Sequence, residues 1–262
     1  MTFYYLTSSL TPLEFGDLAD CGFLDLLEKF ELSLSHADRK GFRVIRLFYD
    51  IENIKKLFLA SSSSEELDPR GNLNKKQLQE ALDQRTFFSS YVFDFLDSYS
   101  SAKDRLDNFS KLISEYFRCE AQDAKGFLKT YLNFEREYRL ILTAFRAKKL
   151  KKNLEQEITF ASFKDPMVES ILNQKDSPYF EAPMGYEDLQ EMLLVCKDKP
   201  LYQYRHLAEY RFKKVREMVQ DKPFTLDYLM SYAVRICILE DLANLNEIKG
   251  NENLNTILKD KS

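Results

Sequence analysis

Only two histidines, His36 and His206, stand among the 262 residues. A serine-histidine triad or a multi-histidine metal site would have to draw on one of these two, and neither has a supporting motif beside it. His206 sits among Tyr204, Arg205 and Leu207 on an amphipathic stretch, so a structural or surface role is expected for both. Cys21, Cys119, Cys196 and Cys237 are scattered, with no CxxC and no metal-ligand spacing. They are expected to be free, mostly buried thiols in a reducing compartment. Asp and Glu number 42, but they are spread over polar helix faces and no pair stands out as general acid and base. The Ser-rich loop SSSSEELDPRGN (61–72) has one glycine, no GxxxxGK[ST] and no preceding strand run, so it is a weak candidate for a phosphate cradle. These readings point away from an enzyme and imply neither cofactor nor metal, although a composite site assembled from distant positions is a remaining alternative.

The one basic cluster is RAKKLKK, Arg146 to Lys152. It could meet phosphate or an anionic membrane surface. No aromatics interleave it and the net charge is −4, so a solvated end of a long helix, complementing the helix dipole, is the preferred reading. No nucleic-acid partner is expected. No window approaches the roughly 18 uncharged apolar residues that span a bilayer. The N-terminus lacks the basic region of a signal peptide, its first Lys or Arg being Lys29, so a cytoplasmic protein is expected.

The elements that would carry these residues are helices. Seven Gly and seven Pro are sparse punctuation, which favours long elements and disfavours turn-rich β folds. Residues 2–10 are β-prone and allow a short strand. Helical patterns follow over 23–32 and 37–60. From 86 to 125 there is neither Gly nor Pro, and Phe88, Val92, Phe95, Tyr99, Ala102, Leu106, Phe109, Ile113 and Tyr116 alternate steps of four and three. That spacing predicts one helix with a narrow apolar seam, about 43 Å long. Phe127, Tyr131, Phe134, Tyr138, Ile141 and Phe145 repeat the pattern after a short break. An antiparallel αα-hairpin is the expected result. Prolines mark an irregular stretch near 165–186. Two further helices are expected, one with the stripe Tyr204, Ala208, Phe212, Val215 and Val219, the other running from Pro223 to about Lys249. The expected class is therefore all-α, an elongated set of helical bundles, single over 1–262 or in units 1–72, 73–160 and 161–262.

One pattern occurs three times. FYDIENIKKLF carries Asp50 and Asn53, NFEREYRLIL carries Glu135 and Tyr138, and ILEDLANLNEI carries Asp241 and Asn244. In each, an acid precedes a polar or amphipathic residue by three positions on an amphipathic helix. This signature resembles that of the C-type central-rotor component of V/A-type ATPases, whose eukaryotic counterpart is the d-type component and which is built from three similar helical bundles. The middle copy has Tyr138 where that family's pattern has Asn. The opening residues Phe3, Tyr4, Tyr5, Leu6, Ser9, Leu10, Leu13, Phe15 and Gly16 are also similar to the start of a bacterial family encoded beside V-type ATPase genes.

The resemblance implies a non-catalytic rotor-coupling subunit. Its partners would be the shaft and proteolipid-ring subunits of a V-type ATPase, engaged in ion (proton) transport. It would sit in the cytoplasm, peripheral to the inner membrane, and touch the membrane only through those partners. The six signature residues would then serve the fold or an interface. A generic helical adaptor with another partner is the first alternative, and a nucleic-acid-associated helical protein relying on Arg146–Lys152 is the second.

Overall fold

The computed structural model describes residues 3–17, 20–59, 66–158, 165–196 and 199–245. Those residues form thirteen helices and no strand. In chain order they begin with α1 (Tyr4–Ser8), α2 (Phe23–Ser33), α3 (Lys40–Leu59), α4 (Lys75–Asp83) and α5 (Ser90–Ser98). Then come α6 (Ala102–Asp107), α7 (Phe109–Asp123), α8 (Gly126–Lys149), α9 (Leu154–Glu157) and α10 (Pro166–Leu172). The last three are α11 (Glu187–Val195), α12 (Pro200–Glu217) and α13 (Leu226–Ala243). The chain groups into two compact units. A terminal unit joins Met1–Leu34 to Val195–Ser262, and a central unit is Ser35–Leu194. These boundaries differ from the divisions at 72 and 160 expected from the sequence.

The central unit is organised on α3, α7 and α8. The expected hairpin is present as α7 and α8, packed along each other across the two-residue link Ala124–Lys125. Its first arm is shorter than the seam suggests, because residues 88–116 form three helices rather than one. The break has a local cause. Tyr99 is extended, the Ser101 hydroxyl accepts from Asp104 N at 3.0 Å to start α6, and Arg105 donates to Tyr99 O and Leu96 O at the end of α5. Serine at a helix start competes well with helix continuation. The apolar seam survives as packing: Phe95 on α5 and Phe109 and Tyr116 on α7 are all buried. Phenols tie the layers together, Tyr116 donating to Val44 O (2.8 Å) and Tyr91 to Glu120 Oε1 (3.0 Å).

The terminal unit is built around α13, whose residues Leu229–Leu239 are all buried. A helix apolar on every side belongs in a core. Arg235 is the one charged residue within that stretch. It is 4% exposed, with its guanidinium 5.5–5.9 Å from the centroids of Phe212, Tyr228 and Tyr232, and burial holds its pKa below the ordinary arginine value. α12 packs beside α13, and the Ser231 hydroxyl donates to Val215 O at 3.0 Å.

Three local expectations are corrected. Residues 4–8 are a helical turn, not a strand: Phe3 N donates to Phe224 O, while Thr7 N and Ser9 N donate back to Phe3 O and Tyr5 O. The stretch 165–186 contains α10, started by Pro166 at its first position and by Asp165 Oδ1 accepting from Met167 N. The last helix ends at Ala243, before the expected Lys249; residues 246–250 lie outside the described residues.

Candidate functional site

The first signature acid, Asp50, and its companion Asn53 are fully buried on α3. With Arg46 they form one face, spaced by four and three residues. All three grip the end of the 61–72 loop and the residue after it. Asp50 Oδ1 accepts from Leu73 N at 3.0 Å, and Oδ2 accepts from the Asn72 amide at 2.7 Å. Asn53 bonds Asp68 twice, donating to its carbonyl (3.0 Å) and accepting from its N–H (2.7 Å). Arg46 donates to Arg70 O at 3.0 Å and Gly71 O at 2.5 Å. Glycine at 71 leaves room for this clamp, since a Cβ there would stand 2.6 Å from Asp50 Oδ1 and force the carboxylate to shift. Burial raises the Asp50 pKa, while the bonds from Asn72 and Leu73 oppose that rise. Asp68 meets burial too, but the hydrogen bonds and charge of Arg70 outweigh it and lower its pKa. The signature in this copy is a fastener for the 68–73 backbone, followed at once by the Asn74–Gln77 capping box of α4.

The other two copies behave differently. Glu135 is buried on α8, with Arg139 Nε 3.6 Å from its Oε2, and Tyr138 is buried against Phe134. The Arg139 guanidinium lies over Phe48 and Phe117 at 5.1 and 5.2 Å. In the third copy Asp241 is half-buried and Asn244 exposed. The preceding residue, Glu240, makes a long-range contact: its Oε1 accepts from Phe23 N (2.7 Å) at the start of α2. The three copies stand on three different helices, α3 and α8 in the central unit and α13 in the terminal unit.

Among the described residues no group of His, Cys, Asp and Glu side chains could hold a metal ion. Burial pushes the Cys21 and Cys119 thiols up, away from the thiolate state that nucleophiles need. His36 is exposed, and His206 packs edge-on against Tyr202 at 4.1 Å. In the basic run, Lys148 caps the carbonyls of Gln174, Lys175 and Ser177 at 2.6, 2.6 and 2.7 Å, and Lys152 pairs with Glu157. That use of Lys148 as an internal brace had no signal in the sequence. No helix among the described residues is long and apolar enough to cross a membrane.

What the sequence reading missed is a cleft of about 310 Å³ in the terminal unit. Leu239, Leu242, Ala243 and Leu245 from α13 and its end form one side, Leu201 and Arg205 of α12 the other, and Gly16 and Asp17 close it. A second hollow of about 290 Å³ adjoins it, sharing Asp17 and Leu239 and bordered by Glu14 and Asp20. The segment 11–17 is held in place from below. Tyr232 donates to Thr11 O (2.8 Å), Leu13 is buried, and Phe15 packs edge-on against Phe212 at 5.7 Å. Gly16 has φ +97°, a conformation that side chains rarely adopt. The Phe15-Gly16 pair thus has a physical basis: a ring anchor, then a turn that only glycine makes without strain.

The fold and its sites define a helical protein with a clamped loop in one unit and an open cleft in the other. The chain belongs to the family described as "Protein of unknown function (DUF2764)", matched over residues 1–261. It is 29% identical over 267 aligned residues to an uncharacterized protein of Chlamydia pneumoniae, covering 99% of this chain and 98% of the other. It is 27% identical to uncharacterized proteins of Chlamydia muridarum (98% and 97% covered) and Chlamydia trachomatis (87% and 86% covered). No solved structure matches the chain.

Proposed function

We propose that this protein is a non-catalytic subunit of a V/A-type rotary ATPase, which couples the central shaft to the membrane proteolipid ring by binding both. The observation that carries the reading is the placement of the residues bearing the resemblance. Leu13, Phe15 and Gly16, from the opening motif, are seated on α12 and α13, and Leu239 and Leu242, from the third signature, line the same cleft. Two separate stretches of sequence that suggested the ATPase thus converge on one open, partly apolar surface. Such a surface suits protein docking, and the braces beneath it supply the stiffness that a torque-bearing part needs. On this reading the protein lies in the cytoplasm, peripheral to the inner membrane through its partners.

The test is a tagged pull-down from mildly solubilised native membranes, read by mass spectrometry. Recovery of shaft and proteolipid-ring subunits in stoichiometric amounts is the expected result. A different fixed partner would replace the rotor reading with that of a helical adaptor, which uses the same cleft for another protein. Removing residues 1–16 should weaken assembly onto the ring while leaving the isolated catalytic head unaffected.

A further inference from the structure

We propose that the loop between α10 and α11, residues 173–186, is a docking element whose Tyr179 and Met184 enter an apolar site rimmed by Lys or Arg on a partner protein. This rests on the protein-binding part of the reading above and adds a second contact surface, in the central unit. The first ground is how the loop is held. Lys148 Nζ donates to the carbonyls of Gln174, Lys175 and Ser177. The Gln174 amide bonds both backbone groups of Glu181, donating to its O at 2.9 Å and accepting from its N at 2.8 Å. Gln190 Oε1 accepts from Ala182 N, and Tyr186 donates to Glu137 Oε2 at 2.8 Å. Phe180 is buried, and Pro178 and Pro183 fix φ at two more positions. Side chains from α8, from α11 and from the loop itself thus set its backbone along most of its length.

The second ground is what this fixed backbone displays. Tyr179 is 78% and Met184 92% exposed. A loop that only joined two helices would not need both a fixed backbone and apolar tips held in water. Fixing the backbone lowers the ordering cost of binding, and Tyr and Met are enriched at the centres of interfaces. The third ground is charge. Tyr179 stands between Asp176 and Glu181, and Met184 between Glu181 and Glu187, all three acids being exposed. None of the three has a cation within ion-pair distance among the described residues, and the loop's one cation, Lys175, pairs with Glu155 at 2.9 Å. Glu187 accepts only from Gly185 N, at 2.9 Å, and so keeps its charge toward solvent. That sign disfavours a nucleic acid or an anionic membrane surface and favours a protein site with a basic rim.

The experiment is site-specific photo-cross-linking in the full-length protein in its native cells, with p-benzoyl-phenylalanine in place of the exposed Met184. The cross-linked peptide is then sequenced by mass spectrometry. The expected peptide comes from another protein and carries apolar residues with at least two Lys or Arg beside them. Tyr179→Ala should lower the yield at least about five-fold, as the loss of an interface anchor. The exposed pair Asp176→Lys/Glu181→Lys should lower it as much, and the milder Asp176→Asn/Glu181→Gln pair by less. Lys148→Met leaves both tips in place but frees the loop, and should lower the yield about three-fold. Circular dichroism matches the variants for folded fraction. A peptide without basic residues, a cross-link within the same chain, a yield indifferent to Tyr179→Ala, to Lys148→Met or to the charge pairs, or no cross-link would each overturn the proposal. A basic, apolar peptide from a protein outside the rotary ATPase would support the docking loop and sink the rotor reading. Recovery of shaft and ring subunits in the pull-down with no cross-link from position 184 would do the reverse.

Discussion

The signature on α3 and the signature on α13 are spelled almost alike, yet they do different work. On α3 the acid and the asparagine point into the protein and hold five backbone groups of the 68–73 segment together with Arg46. On α13 the corresponding Asp241 and Asn244 lie toward the surface, and Glu240, one position earlier, reaches the start of α2 instead. The difference follows from what each helix meets. α3 passes under an irregular segment whose N–H and C=O groups need partners once buried. α13 is already surrounded by apolar contacts, and its last turns line the open cleft, where Asp241 is only half-buried and Asn244 exposed. A motif of this kind is a set of hydrogen-bonding options, and the neighbouring backbone decides which are taken.

The sharpest way to break this contrast is Asp50→Ala. It leaves Leu73 N and the Asn72 amide without their acceptor beside a new void, and should destabilise the protein by about 3 kcal/mol in urea unfolding. A loss below about 1 kcal/mol would mean that the 68–73 segment is held by something else. Gly71→Ala tests the same clamp from the other side. The added methyl must displace the buried Asp50 carboxylate, and a cost of about 2 kcal/mol is expected from the same measurement. On α13, Glu240→Ala removes one helix-start acceptor and should cost about 1 kcal/mol. Asn244→Ala should stay within about 0.5 kcal/mol, because that side chain is exposed. Equal costs for Asn244→Ala and Asp50→Ala would erase the distinction between the two copies.

Titration sharpens it further. Burial raises the Asp50 pKa above its unfolded value, so its ionisation opposes folding. That cost is absent below about pH 4, the unfolded value, and is complete once pH has passed the raised folded value. The stability of the wild type relative to Asp50→Asn should therefore shrink as pH rises across that window and stay level above it. Urea midpoints of the two proteins, taken at matched pH, check this; a constant difference would show that Asp50 is not desolvated.

Local and periodic information was readable in the chain. Scarce Gly and Pro together with three- and four-residue apolar steps specified helices, and α2, α3, α7, α8, α12 and α13 lie where those steps run. Periodicity misled over residues 88–116, because the same apolar residues can line one face of three helices as well as one seam. The hydroxyl of Ser101 and the bonds made by Arg105, not the stripe, ended α5 there. The second arm had no comparable competitor, and it runs unbroken as α8.

The fate of the polar signature could not be read in this way. The spacing of Asp50 and Asn53 places them on one helix face, but only the return of residues 68–73 gives that face backbone groups to bind. The cleft is still less local, since it exists only where Gly16 comes to Leu201 and Leu242, far apart along the chain. By itself the sequence determined the helical class, because repeating apolar steps act within a few turns. Tertiary structure decided which acid is buried, which lysine becomes a brace and where a surface stays open, because burial and hydrogen-bond partners depend on segments that the chain brings together only when it folds.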